Sequence, residues 1–131
     1  MKRPEQVIHK AVVSHLNARA EPRVFFWHTP NEGKRGFVNA AALKAMGMTA
    51  GVPDLLILKD GSLHALELKA PGGRLTPSQH LVMNHMQNCG ARIAVAHSLD
   101  EALVTLEFWG IIKREASHDR TGTQRTAKVD C

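Results

Sequence analysis

Three residues in the middle of the chain combine unlike chemistries at short range: Asp54 in "GVPDLLILKD", and Glu67 with Lys69 in "HALELKA". Glu67 and Lys69 are two positions apart, so on a strand both project from one face. Between the two segments lies Asp60-Gly61, a dipeptide that tolerates the positive φ of a type I′ turn and marks a two-residue hairpin. With those as the turn residues, Lys59 faces Ser62, Leu58 faces Leu63, Ile57 faces His64, Leu56 faces Ala65, Leu55 faces Leu66, and Asp54 faces Glu67. Directly opposed side chains share a face, with Cβ atoms roughly 4.5–5.5 Å apart. Two carboxylates so placed repel unless one is protonated or a cation lies between them. A hard divalent ion such as Mg²⁺ fits, because it takes oxygen ligands and needs only one or two carboxylates. Lys69, one step beyond Glu67 on that face, is kept protonated by the two acids. It therefore suits electrostatic stabilisation and water positioning better than a general-base role. The plainer alternative is a cross-strand Glu–Lys surface pair, and a one-residue register slip would put the acids on opposite faces.

The elements that must position these residues are legible on either side. Pro4 suits a helix N-terminus, and Val7, Ile8, Val12 and Leu16 follow at helical spacing. "RVFFWHT" reads as a first strand near Arg23–His28. "PNEGKRG" is turn chemistry, and "VNAAALKAMGMTAG" is a short helix running into a glycine-rich loop. After the hairpin, "PGGR" breaks the strand. "TPSQHLVMNHMQNCG" then offers Thr76 as N-cap, Pro77 at the first helical position, Gln79 closing a capping box and Gly90 as the stop. "ARIAVAH" reads as a buried strand. In "SLDEALVTLEFWG", Ser98 and Glu101 form a second capping box before Gly110. The expected order is α-β-α-β-β-α-β-α, an α/β fold with a mixed β-sheet flanked by helices. It occupies residues 1–112, and 113–131 form a polar tail almost without large apolar side chains, expected to be disordered.

At 131 residues the chain has the size of one domain with a real core. Its 44% hydrophobic and 22% charged residues exclude wholesale disorder, and a net charge of +5 favours polyanionic partners. Cys89 and Cys131 make neither a disulfide framework nor a zinc site. The eight histidines contain no HExxH and read as scattered surface and core residues. No charged-then-apolar leader opens the sequence, and no apolar run approaches the roughly 18 residues of a membrane span. A cytoplasmic protein is the expectation. Aromatic residues, at 5%, are too few for a base-stacking platform of the single-strand-binding kind. Phe25, Phe26 and Trp27 are expected in the core or at a dimer contact.

The stretch "GVPDLLILKDGSLHALELKAPGGRLTPSQ" resembles the core of the VRR-NUC family, the virus-type replication-repair nucleases of the PD-(D/E)XK superfamily. The match runs from Pro53-Asp54 through Glu67-Leu68-Lys69 to a glycine-containing loop and a helix opening with Gln79. The resemblance implies a restriction-endonuclease-like core and Mg²⁺- or Mn²⁺-dependent phosphodiester hydrolysis. By it, Asp54 and Glu67 are metal ligands, the Leu68 carbonyl completes the site, and Lys69 assists the attacking water. It also implies that Gln79 lies beside the active site, although the capping box already explains that residue structurally. Glu5 is either a first-turn acid favoured by the helix dipole or, as in related nucleases, an acid reaching the metal. Stand-alone phage or bacterial relatives are implied to act as homodimers on branched DNA, with Holliday-junction resolution suggested.

Lys34 and Arg35, in a glycine-flanked loop, and Arg74 in "PGGR" are candidate contacts to the DNA backbone, giving affinity without sequence readout. Solvated loop charges are the alternative for each. His28 and Asn31 are candidates to line the cleft after the first strand. Two other functional readings stand beside the endonuclease: a non-catalytic nucleic-acid-binding module, and a flap or nicking repair nuclease.

Overall fold

The computed structural model describes residues 3–29 and 37–114. Asn31, Lys34, Arg35 and the tail from residue 115 lie outside the described residues. Helix α1 (Arg3–Arg19) leads into β1 (Val24–His28), then α2 (Phe37–Ala45), and the hairpin of β2 (Leu55–Lys59) and β3 (Ser62–Leu68) follows. Helix α3 (Pro77–Asn88), β4 (Arg92–Ala96) and α4 (Leu99–Phe108) complete the order expected from the sequence. The four strands form one mixed sheet in the order β1-β2-β3-β4. The β1–β2 and β2–β3 pairs are antiparallel, and β4 joins β3 in parallel through the α3 crossover.

The hairpin turns as its sequence requires. Asp60 has φ 49° and Gly61 φ 83°, the positive pair that matches the right-handed twist of the flanking strands. Lys59 pairs with Ser62 and, four steps on, Leu55 with Leu66, so the register is the one counted from the turn. The core lies on one face of the sheet. Val12 and Leu16 of α1 meet Leu55, Ile57, Leu66 and Leu68 of the hairpin, Ala102 and Leu106 of α4, and Ile111 and Ile112 beyond it. Each large aliphatic side chain there contributes about 1.5–3 kcal/mol by leaving water. Ile112 also bridges back to Ala20, fastening the end of the fold to the end of α1.

Two local expectations change. β4 is half-buried rather than buried, with only Ala96 fully inside, because it is one of the sheet's two edge strands. At α4 the Ser98 hydroxyl accepts the Glu101 N–H (3.1 Å), but the Glu101 carboxylate turns to the His97 N–H (2.7 Å) instead of closing the box on Ser98. The first aromatic strand divides by the strand's period of two: Phe26 packs against the core, whereas Phe25 and Trp27 are exposed.

The loop before β2 is docked tightly onto α3. Gly51 has φ +92°, and a Cβ there would lie 2.7 Å from the Ser78 carbonyl oxygen and 3.2 Å from the Gln79 nitrogen. Both the dihedral and the space call for glycine, and with the buried Pro53 this contact holds the segment carrying Asp54 against the N-terminus of the helix carrying Gln79. Gly51→Ala is therefore expected to destabilise the fold by roughly 1–3 kcal/mol and to lower function beyond what the melting shift explains. Parallel thermal melts and activity assays on the variant check this.

Candidate active site

Asp54 and Glu67 meet at the open end of the hairpin, one step past the Leu55–Leu66 pair, and only 4% and 3% of their surfaces are exposed. They brace each other through the backbone. The Asp54 N–H donates to Glu67 Oε1 (3.2 Å), and the Leu68 N–H donates to Asp54 Oδ2 (3.0 Å). Burial pushes the Glu67 carboxyl up to about 7, with the Asp54 charge adding to the effect and Lys69 opposing it. Burial likewise raises Asp54, against the Leu68 N–H that favours its charged form. The pair is thus a concentration of negative charge that the protein alone leaves under-compensated.

Two further side chains converge on Glu67 Oε2. Lys69, just beyond β3, brings its ammonium to 3.7 Å with its side chain only 11% exposed, and its backbone N–H is tied to the Ala96 carbonyl (2.9 Å). Gln79 donates from Nε2 to the same oxygen at 3.1 Å. Its Oε1 meanwhile accepts the Thr76 N–H (2.9 Å), and the Thr76 hydroxyl accepts the Gln79 N–H (3.1 Å). The capping box and the site contact are therefore not alternatives. The cap engages the amide oxygen and, by doing so, turns the NH₂ group toward Glu67.

This geometry gives Gln79 a specific prediction. Gln79→Glu keeps a cap acceptor but loses the donor and adds a third carboxylate beside Glu67. Gln79→Ala loses both. The glutamate variant keeps the cap but is expected to lose stability as pH rises and the added carboxylate comes to repel Glu67. It is expected to lose activity at least as far as the alanine variant, which should lose about 1 kcal/mol from the missing cap. Melting curves and rates measured side by side distinguish the two contributions.

The remaining candidates are placed as follows. Glu5 is half-buried in the first turn of α1, near enough for its charge to raise both Asp54 and Glu67. Among the described residues no three His, Cys, Asp or Glu side chains come together as a metal cluster, so the carboxylate set is a pair. Arg74 is exposed on the turn after β3, where His97 Nε2 donates to the Gly73 carbonyl (3.0 Å). His28 lies at the end of β1 beside Asp54, its Nδ1–H donating to the Asp54 carbonyl (3.0 Å). His9 escapes the sequence reading, which grouped it with scattered histidines. It is 8% exposed and touches the His28 ring edge-on at 4.4 Å. Its only sequence signal is its position one helical turn after Glu5.

The donor set suits a hard divalent cation. Both acids present oxygen, both are buried, and no hydrogen bond reaches Asp54 Oδ1 among the described residues. Mg²⁺ or Mn²⁺ needs only one or two such carboxylates, its remaining positions being filled by water and substrate oxygens.

An α/β fold with a four-stranded mixed sheet, an acid pair at the open hairpin end and a lysine beside one acid define a chain of the nuclease-domain class. The family model described as "VRR-NUC domain" matches residues 3–100, and the chain belongs to that family. Solved structures share the fold, among them two of this domain. One, described as a "VRR_NUC domain protein", superposes with a TM-score of 0.66 at 19% identity, covering 87% of this chain and 99% of that one. Another, described as a "VRR_NUC domain", has a TM-score of 0.58 at 18% identity, covering 82% and 99%. No curated protein shows significant sequence similarity to the chain. Among the described residues no helix is long and apolar enough to cross a membrane.

Proposed function

We propose that this chain is a Mg²⁺- or Mn²⁺-dependent, structure-specific DNA endonuclease acting on branched DNA, with four-way junctions as the leading substrate. The observation that carries the reading is the cross-braced, buried Asp54–Glu67 pair with Lys69 and Gln79 converging on one carboxylate oxygen. A divalent cation held by Asp54, Glu67 and the Leu68 carbonyl would neutralise charge growing on the scissile phosphate and promote ionisation of the attacking water. The protein's own groups then have separable tasks. Lys69 supplies a fixed positive charge where negative charge develops, preorganised by the Ala96 contact to its backbone. Gln79 holds Glu67 in one orientation and keeps an amide donor at the site. Glu5 adds negative charge that strengthens the attraction for a cation.

Substrate is held in this reading by backbone contacts from Arg74, Lys34 and Arg35, which match the net charge of +5. The domain comprises residues 1–112, and 113–131 form a tail outside the catalytic unit. The chain works as a homodimer whose two-fold axis sets two sites on symmetric strands, in the cytoplasm of a bacterium or phage-infected cell.

The test incubates purified protein with labelled four-way, flap and linear duplex DNA in Mg²⁺, Mn²⁺ or EDTA. Metal-dependent cleavage that favours the four-way substrate is the expected result. Cutting of flaps alone would place the chain among repair or nicking nucleases. Binding without cleavage on every substrate would make it a non-catalytic binding module.

A further inference from the structure

Asp54 is not part of a strand ladder. Regular pairing of β1 with β2 ends at His28–Leu55, and of β2 with β3 at Leu55–Leu66, so the acid sits one residue beyond both. Its carbonyl is nevertheless engaged twice, by the Thr29 N–H and by the His28 Nδ1–H, each at 3.0 Å. The Thr29 hydroxyl also donates to the preceding carbonyl, that of Pro53, at 2.8 Å. A carbonyl oxygen only accepts, so this contact fixes the His28 tautomer with its proton on Nδ1.

The His28 ring is backed by a second imidazole. His9, on α1, meets it edge-on with centroids 4.4 Å apart and planes at 79°. His9 Nδ1 is buried without a hydrogen-bond partner among the described residues, and burial pushes the ring toward its neutral form. A neutral ring with an idle nitrogen acts here as a wall. It limits where His28 can swing and offers it no competing hydrogen bond among the described residues.

We propose that His28, braced by His9, is a positioning residue for Asp54, fixing the peptide that carries the acid so that its carboxylate stays opposed to Glu67. The role rests on the metal-site reading above and adds a residue pair that acts through Asp54 instead of touching the reacting atoms. Groups that orient a metal ligand in this way typically change metal affinity by about 10–100-fold when removed.

The test compares His28→Ala, His28→Asn and His9→Phe with wild type, using Mn²⁺ affinity from electron paramagnetic resonance without DNA, together with thermal melts. Asparagine places an amide N–H where His28 has Nδ1–H, but like alanine it removes the ring that packs on His9. Any generic packing loss is therefore common to both substitutions, and only the donor differs. His28→Ala is expected to weaken Mn²⁺ binding about tenfold or more, and His28→Asn to restore it to within about threefold of wild type on the same scale. His9→Phe, which keeps a wall without a nitrogen, should bind like wild type. Equal affinity in His28→Ala and wild type, or an asparagine variant as weak as the alanine one, would overturn the inference while leaving the metal site standing. A wild-type chain that binds no Mn²⁺ would overturn the metal reading and this inference together.

Discussion

Glu67→Gln is expected to reduce metal-dependent cleavage by about a thousandfold or more while making the metal-free protein more stable at alkaline pH. The first effect follows from removing one of the two buried acids that the proposed cation site depends on. The second follows from burial. Glu67 titrates near 7 in the folded chain against an ordinary value of 4.5. Between those values the folded chain holds a proton that the unfolded chain has released, so stability falls as pH rises through that window. At 3% exposure solvent screening is slight, and the full penalty above pH 7 is on the order of 3 kcal/mol. Glutamine does not titrate. The stability difference between variant and wild type should therefore grow from pH 4.5 to pH 8, read from denaturant melts in EDTA. Asp54, also raised, contributes in the same direction to both proteins, and the lowered His9 and His64 contribute in the opposite one. These contributions largely cancel in the comparison, and a difference that is flat with pH would contradict the assignment.

Lys69→Met is expected to lower the cleavage rate by roughly 10²–10³-fold and to leave Mn²⁺ binding and DNA binding within a few-fold of wild type. The reason is the division of labour around Glu67 Oε2. Lys69 stands 3.7 Å from that oxygen, too far to be its principal hydrogen-bond partner, a place taken by Gln79 at 3.1 Å. Its removal therefore leaves both acids positioned while deleting the fixed positive charge that the proposed mechanism uses in the transition state. Methionine keeps most of the buried stem's volume, so packing is largely preserved. Single-turnover rates with metal titrations separate the effects. A variant that fails to bind Mn²⁺ would make Lys69 a structural counter-ion for the acids, and not a contributor to the chemical step.

Much of this site could be counted from the turn. Asp60-Gly61 fixes the hairpin register locally, and period-two alternation then carries Asp54 to Glu67 without any tertiary information. Thr76, Pro77 and Gln79 mark the start of α3 for the same reason, since capping is written in adjacent residues. What the sequence withheld depends on approach between distant elements. That Gln79 reaches Glu67 while still capping its helix depends on the close fit of Gly51 against Ser78. His9 shows no local pattern that distinguishes it from a core histidine, because its meaning comes from β1 delivering His28 beside it. The half-buried state of β4 was likewise hidden, since "ARIAVAH" has a core strand's composition but an edge strand's place.

The most direct measurement is an anomalous-scattering map of crystals soaked in Mn²⁺. A single strong peak lying between Asp54 and Glu67, at roughly 2.0–2.3 Å from an oxygen of each carboxylate and lost in Glu67→Gln, is the result predicted. Crystals in which wild-type Asp54 and Glu67 bind no Mn²⁺, or in which the ion settles elsewhere and survives Glu67→Gln, would contradict the account.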